Sequence, residues 1–159
     1  MLYALDTNIY LNAQRNSLAR AGYDRILKAA GRRLRLPAVV AFELRAGVRS
    51  PEQRAALDQL VNAYAARDRI LVPSAAAFLE AGRVIADLAI REGITYGAEP
   101  LSLANDALIA ASCREMQVTL ATNNHADFAR IQRHCGDSVL LPQPPWRERA
   151  ADLLSDSLW

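Results

Sequence analysis

Cysteine is scarce in this chain, which has only Cys113 and Cys135 among its 159 residues. The two positions do not have the spacing of a metal site, and neither a CxxC motif nor a histidine-rich segment accompanies them. We therefore expect both cysteines to be buried thiols in a protein of a reducing compartment.

The segments that direct a protein to a membrane or out of the cell are also missing. The N-terminus has no basic region followed by a long apolar stretch, so we expect no signal peptide. No apolar run is long enough to span a bilayer. These absences predict a cytoplasmic protein without a membrane partner.

Lysine is nearly absent, since Lys28 is the only lysine among 19 basic residues. The net charge of +2 is too small to create a large field for nucleic acid or for a membrane surface. Arginine suits bidentate contacts with phosphate. A codon bias of the genome nevertheless explains the arginine excess better than selection for phosphate binding does.

The remaining composition is typical of one folded domain, because 52% of the residues are hydrophobic and 23% are charged. Neither an internal repeat nor a low-complexity linker interrupts it. Short apolar segments alternate with segments of helical periodicity, and Ser50, Pro51 and Ser74 mark helix starts. The predicted strands cover residues 2–5, 32–36, 69–72, 118–121 and 138–141, and the predicted helices cover residues 7–14, 18–30, 38–48, 51–67, 74–91, 102–116 and 126–134. This alternation predicts a parallel α/β sheet with helices on both faces.

Asp6 stands directly after the first predicted strand, in the stretch LYALDTNIYLN. Ligands of open α/β sheets bind outside the carboxyl ends of the strands, so a carboxylate here is placed to bind a cation. Asp is also a good N-cap, and on this stretch alone capping is the favoured interpretation.

Two further carboxylates stand among apolar residues. Glu43, between Phe42 and Leu44, lies either on the exposed edge of an amphipathic helix or is drawn inward for a reason. Asp106, in SLANDALIAASC, falls in the first turn of a helix that is apolar nearly all round, which indicates a helix of the core. The dipole favours an acid in a first turn, so capping and a site are both open for Asp106.

A polar segment, TNNHADF, follows the apolar strand VTLA. Thr122, Asn123 and Asn124 stand at the carboxyl end of that strand, as Asp6 does at the end of the first, and Asp127 comes one turn later. Taken alone, the segment is a polar turn with an Asn cap.

Taken together, these positions predict one site, because the carboxyl ends of parallel strands meet at one edge of a sheet. Carboxylates that are forced together repel one another, and a cation stabilises such a group. Oxygen ligands without cysteine or histidine indicate a hard ion, Mg²⁺ or Mn²⁺. Such an ion suits metal-assisted hydrolysis of phosphodiesters.

The motifs LDTN, FELRAG, NDALIAA and ATNNHADF, in this order between Met1 and Leu141, resemble those of PIN-domain ribonucleases. Among these the chain is most similar to the VapC-type toxins of type II toxin–antitoxin pairs. The resemblance implies a three-layer α/β/α sandwich with a mainly parallel, short-stranded sheet. It also implies a PIN domain over residues 1–141, with residues 142–159 as a tail that is part of that domain or packed on it.

The resemblance assigns roles to the site residues. Asp6, Glu43 and Asp106 would be the acidic triad that holds Mg²⁺ or Mn²⁺, and Thr122 would orient the site or the attacking water. Thr7 would help to order the turn after the first strand.

Asn124 departs from the family, which often has a fourth acid at this place. An amide oxygen can bind a hard cation but brings no charge. Asp127 would then supply part of the missing charge, or cap the helix.

By resemblance, the chain would be a metal-dependent endoribonuclease that cleaves single-stranded RNA, the toxin of a toxin–antitoxin pair. A homodimer is implied, as is a cognate antitoxin whose tail blocks the acidic groove. Arg32, Arg33, Arg35 and Arg45 are candidates for contacts with RNA phosphates, and for each of them an exposed, solvated charge is an equal alternative.

Three alternatives stay open. A phosphoacceptor module, such as a receiver domain or a haloacid-dehalogenase-like phosphatase, also has an Asp after its first strand. It needs a lysine near the site, and Lys28 is poorly placed for that role. The chain could instead be a housekeeping nuclease of RNA processing, or a non-catalytic PIN-like module that binds nucleic acid or protein.

Overall fold

The structure, a computed structural model, describes residues 1–93 and 101–134. These residues form four strands and seven helices. The strands are β1 (Leu2–Leu5), β2 (Leu34–Pro37), β3 (Ile70–Leu71) and β4 (Val118–Ala121). The helices are α1 (Thr7–Arg15), α2 (Ser17–Ala30), α3 (Ala38–Ala46), α4 (Pro51–Ala65), α5 (Ala75–Glu92), α6 (Leu101–Glu115) and α7 (His125–His134).

The predicted α/β class is confirmed, and each described element lies within a few residues of its predicted place. All strands of the described sheet are parallel, in the order β3-β2-β1-β4. The predicted strand at 138–141, the loop at 94–100, Cys135 and the tail at 142–159 lie outside the described residues.

The strand order creates a change of direction in the chain path. The connections from β1 to β2 and from β2 to β3 step one way across the sheet, whereas β4 returns to the other side of β1. Right-handed crossovers therefore place α1 to α4 on one face and α5 and α6 on the other. Helix packing agrees, since α1 packs on α2 and α3 on α4, while α5 packs on α6 and α7. Adjacent strands β1 and β4 thus flank the switch point at which such sheets bind ligands.

The core lies on both faces of this sheet. In β1, Tyr3, Ala4 and Leu5 are all buried, which is typical of an inner parallel strand. Helix α6 is almost wholly buried, as its apolar sequence predicts, and contributes Ile109 and Cys113. Cys113 is a buried thiol, as we expected, and this burial raises its pKa to about 12, which disfavours the reactive thiolate. No helix among the described residues is long and apolar enough to cross a membrane.

Serine side chains fix the starts of two long helices. Ser50 caps α4 by accepting a hydrogen bond from the Gln53 amide, with Pro51 at the first helical position. Ser74 caps α5 by accepting one from the Ala77 amide at 3.1 Å. The Ser74 hydroxyl also donates to Glu115 at 2.7 Å, which links the start of α5 to the end of α6.

We expect Ser74→Ala to lower the free energy of unfolding by about 1 kcal/mol, because it removes an N-cap. For a domain of this size that corresponds to a fall in Tm of about 3 °C, measurable by thermal unfolding. Ser17→Ala is the matched control, since Ser17 is an exposed residue inside α2 and not its cap. Equal Tm values for the two variants would contradict the capping role of Ser74.

Candidate functional site

The candidate site lies at the switch point, where β1 and β4 end side by side. Asp6 follows β1 and Thr122 follows β4, and the Asp6 amide donates to the Ala121 carbonyl at 2.9 Å. The structure therefore brings the two predicted polar segments together at one edge of the sheet. Asp6, Asp106 and Thr122 are buried there, and Glu43 is half-buried.

Asp6 caps a helix and faces the site at the same time. Its Oδ1 accepts from the Thr7 amide at 2.7 Å, which makes it the N-cap of α1. Its Oδ2 accepts from the Asn8 side chain at 2.6 Å and from the Thr122 hydroxyl at 2.5 Å. Capping and a functional role, which the sequence presented as alternatives, therefore use different oxygens of one side chain.

Asn8 and Thr122 join the two strand ends. The Asn8 side chain donates to the Thr122 hydroxyl at 3.0 Å and accepts from the Asn123 amide at 3.1 Å. Thr122, which is only 2% exposed, also accepts from the Asn124 amide at 2.9 Å. These bonds hold the turn after β4 against Asp6, so Thr122 orders the site through direct contact with the first carboxylate.

Glu43 reaches the site from α3. Its Oε1 accepts from the Asn105 side chain at 2.8 Å, and its Oε2 accepts from the Thr7 hydroxyl. Glu43 is half-buried with both oxygens bonded, and so does not lie on an exposed helix edge. The Thr7 hydroxyl orders Glu43, while the backbone amide of Thr7 orders the turn after β1.

Asp106 lies in the second turn of α6, as the sixth residue of Leu101–Glu115. Our prediction of a first-turn position was wrong, because the helix starts too early for Asp106 to cap it. Asp106 is 5% exposed and accepts from the Asn124 side chain at 3.0 Å. Neither capping nor the helix dipole accounts for a carboxyl group buried at this point.

Asn124 connects Asp106 to Asp127. The Asn124 side-chain nitrogen donates to both carboxylates, at 3.0 Å each. Asp127 lies in the first turn of α7, where an acid is favourable, and its second oxygen accepts from Arg130 at 3.3 Å. Asp127 therefore contacts the site through Asn124 and has its own cationic partner.

The buried carboxylates disfavour one another's ionised forms. Desolvation raises the pKa of Asp106 to about 8, and the charges of Asp6, Glu43 and Asp127 add to that rise. Burial likewise raises the pKa of Asp6, although hydrogen bonds from Thr122 and Thr7 lower it in part and Glu43 adds to it. Perturbation by burial plus like charges is typical of functional sites.

The arginines that we named as RNA contacts do not lie at this edge. Arg32 and Arg33 precede β2, at the opposite, amino end of the strands, and Arg35 donates back to the Leu34 carbonyl at 3.1 Å. Arg45 is exposed and forms an ion pair with Asp58 at 2.9 Å, which agrees with an ordinary helix charge.

Asn105 is a site residue that the sequence did not single out. It stands directly before Asp106 in the NDALIAA motif, and its side chain holds Glu43. Its place in that motif was the only signal in the sequence, because the contact joins residues that are 62 positions apart.

The donor set suits a hard divalent cation. Asp6, Glu43 and Asp106 offer only oxygen, and their hydrogen-bond donors within the described residues are neutral. As the side chains stand, no group of three or more acidic, histidine or cysteine residues in the described ranges is arranged to hold a metal ion. Amide and hydroxyl donors take up the carboxylate oxygens instead. The fit to a metal held by Asp6, Glu43 and Asp106 thus lies in the chemistry of their oxygen donors and not in the present arrangement of the three side chains.

Solved structures share the fold. VapBC2 from Rickettsia felis, bound to a DNA fragment from its promoter, is 25% identical with a TM-score of 0.56, over 82% of this chain and 92% of that one. DNA-bound VapBC from Salmonella typhimurium is 19% identical with a TM-score of 0.62, over 92% and 99%. VapBC-1 from nontypeable Haemophilus influenzae is 22% identical with a TM-score of 0.58, also over 92% and 99%. No curated protein matches the sequence significantly.

The family is shown by a sequence model. The model described as "PIN domain" matches residues 3–134, which is most of the chain and includes every site residue named above. This match and the VapBC neighbours confirm the resemblance that the four motifs indicated, and they remove the phosphoacceptor alternative. The chain belongs to the PIN domain family.

Proposed function

We propose that this protein is an endoribonuclease that uses Mg²⁺ or Mn²⁺ to cleave single-stranded RNA. PIN domains are generally nucleases and typically use divalent metal ions. The observation that carries the proposal is the group of mutually repelling carboxylates of Asp6, Glu43 and Asp106 at the switch point of the sheet. Such a group is costly for the fold and is explained by a cationic ligand.

The residues of the site have two roles, metal binding and the positioning of the metal ligands. Asp6, Glu43 and Asp106 would bind the ion, which when bound supplies an activated water and charge for the phosphate and the leaving oxygen. Thr122 and Asn8 hold Asp6 in place, and Asn124 presents a neutral amide beside Asp106. Because these groups are locked by mutual hydrogen bonds, the site is organised before RNA binds.

We further propose that the protein is the toxin of a toxin–antitoxin pair and that it acts in the cytoplasm as a homodimer. The similar solved structures reported above are VapBC complexes, which supports a cognate antitoxin for this chain. A groove of about 940 Å³ between the α1–α2 and α3–α4 pairs offers a surface for such a partner, lined by Tyr23, Leu44 and Leu57 among others. Asp6, Glu43 and Asp106 do not line this groove, so an antitoxin docked there would need a tail that reaches the sheet edge in order to block them.

Purified protein should cleave single-stranded RNA with Mn²⁺ or Mg²⁺, and a chelator should stop the cleavage. Asp6→Asn, which keeps the cap acceptor but removes the charge, should lower the rate by at least about 100-fold, because it removes a metal ligand. The same substitution should abolish growth arrest on expression. Asp24→Asn, at an exposed ion pair with Arg20, is the control and should stay active. Full toxicity of Asp6→Asn would remove Asp6 from the mechanism.

Asp106→Asn should stabilise the metal-free protein. The pKa of Asp106 is raised from 3.8 to about 8, so the folded state holds a proton that the unfolded state releases. Stability therefore falls as pH rises through this window, and the substitution removes that loss. At about pH 8 in chelator we expect Tm to rise by at least about 3 °C, and by less at acidic pH.

Mn²⁺ should raise the Tm of the wild-type protein, because the ion neutralises the ionised carboxylate of Asp106. It should not raise the Tm of Asp106→Asn, which lacks that carboxylate. If Asp106→Asn raised the Tm of the metal-free protein equally at every pH, the ionisation of Asp106 would not be the cause of the lower stability of the wild type.

Asn124→Asp should strengthen Mn²⁺ binding by about tenfold, because it adds a fourth charged oxygen ligand beside Asp106. Isothermal titration calorimetry measures the change directly. Asn123→Asp, one residue earlier and exposed, is the matched control and should bind like the wild type. Weaker binding by Asn124→Asp would contradict the view that the site lacks charge at this position.

A further inference from the structure

Of the three carboxylates that would hold the metal, that of Glu43 is the least buried. Asp6 and Asp106 are 3% and 5% exposed and are fixed by the packing around them. Glu43 is only half-buried, and its neighbour Phe42 is 63% exposed. A glutamate also has one more side-chain torsion than an aspartate and loses more rotamer freedom when it is ordered.

Two neutral donors compensate for this freedom. Asn105, on α6, donates to one oxygen of Glu43 at 2.8 Å, and the hydroxyl of Thr7, on α1, donates to the other. The donors come from helices on opposite faces of the sheet, and α3 carries the acceptor between them. Both carboxylate oxygens are therefore fixed from outside the helix that carries Glu43.

Asn105 is well placed to set the spacing of the site. It directly precedes Asp106 on α6, so the same turn of helix holds one carboxylate and supplies the other. We propose that Asn105 is a positioning residue that holds the carboxylate of Glu43 beside Asp106 for metal binding. The inference rests on the proposed metal-dependent function and deepens it. Substitution of a residue that orients a metal ligand in this way typically lowers the metal affinity by about 10- to 100-fold.

Mn²⁺ titration followed by electron paramagnetic resonance tests the proposal on the full-length protein. We expect Asn105→Ala to weaken Mn²⁺ binding by about tenfold or more. Asn62→Ala, an exposed asparagine of α4, is the matched control and should bind like the wild type. Asn105→Ser, whose side chain is too short to reach Glu43, should show the same loss and serves if the alanine variant does not fold.

A second background separates positioning from a general structural role. In the Glu43→Ala variant, Asn105→Ala should cause no further loss of Mn²⁺ affinity, because Asn105 acts through Glu43. An equal loss in both backgrounds would overturn the proposal, as would unchanged binding by Asn105→Ala. So would a crystal structure of Asn105→Ala in which Glu43 keeps its place. If the wild-type protein binds no Mn²⁺ at all, the proposed function fails and the inference with it.

Discussion

Mutual repulsion among buried carboxylates is the constraint on which the site depends. Asp6 and Asp106 are almost fully buried, and the charge of Glu43 acts on both of them. A carboxylate that is buried without a cation lowers the stability of the fold, because a charge is poorly solvated in a protein core. Selection for stability would normally replace such a residue. The fold instead keeps these side chains together and surrounds them with neutral donors. Their cost is understandable if a divalent ion completes the group.

Topology explains why this group forms at all. The chain first steps across the sheet from β1 to β2 and β3, and then returns to place β4 on the other side of β1. This change brings the carboxyl ends of the parallel strands β1 and β4 together without a helix covering the space between them. Asp6 uses one oxygen to start α1 and turns the other toward Thr122, so the strand end, the helix cap and the site are one local structure. Two adjacent residues of α6 likewise contribute to the site, because Asn105 donates to the carboxylate of Glu43 and Asp106 supplies a second carboxylate.

The sequence predicted those features that follow from periodicity. Alternating apolar strands and helices indicated a parallel sheet, and this placed Asp6 and Thr122 at one edge before any contact was known. Periodicity does not specify contacts between distant segments, so the bonds of Glu43 to Asn105 and Thr7 were not foreseen. The predicted start of α6 differs from the observed start at Leu101 by one residue, and with either start Asp106 lies in the second turn and not, as we expected, in the first. Arg32 and Arg33 precede β2, so in a parallel sheet they lie at the amino end of the strands, away from the edge that carries the site.

Anomalous diffraction from crystals soaked with Mn²⁺ tests the central claim most directly. The account predicts an anomalous peak in contact with carboxylate oxygens of Asp6, Glu43 and Asp106. Well-ordered crystals that take up Mn²⁺ elsewhere, and show no peak at these three carboxylates, would contradict it.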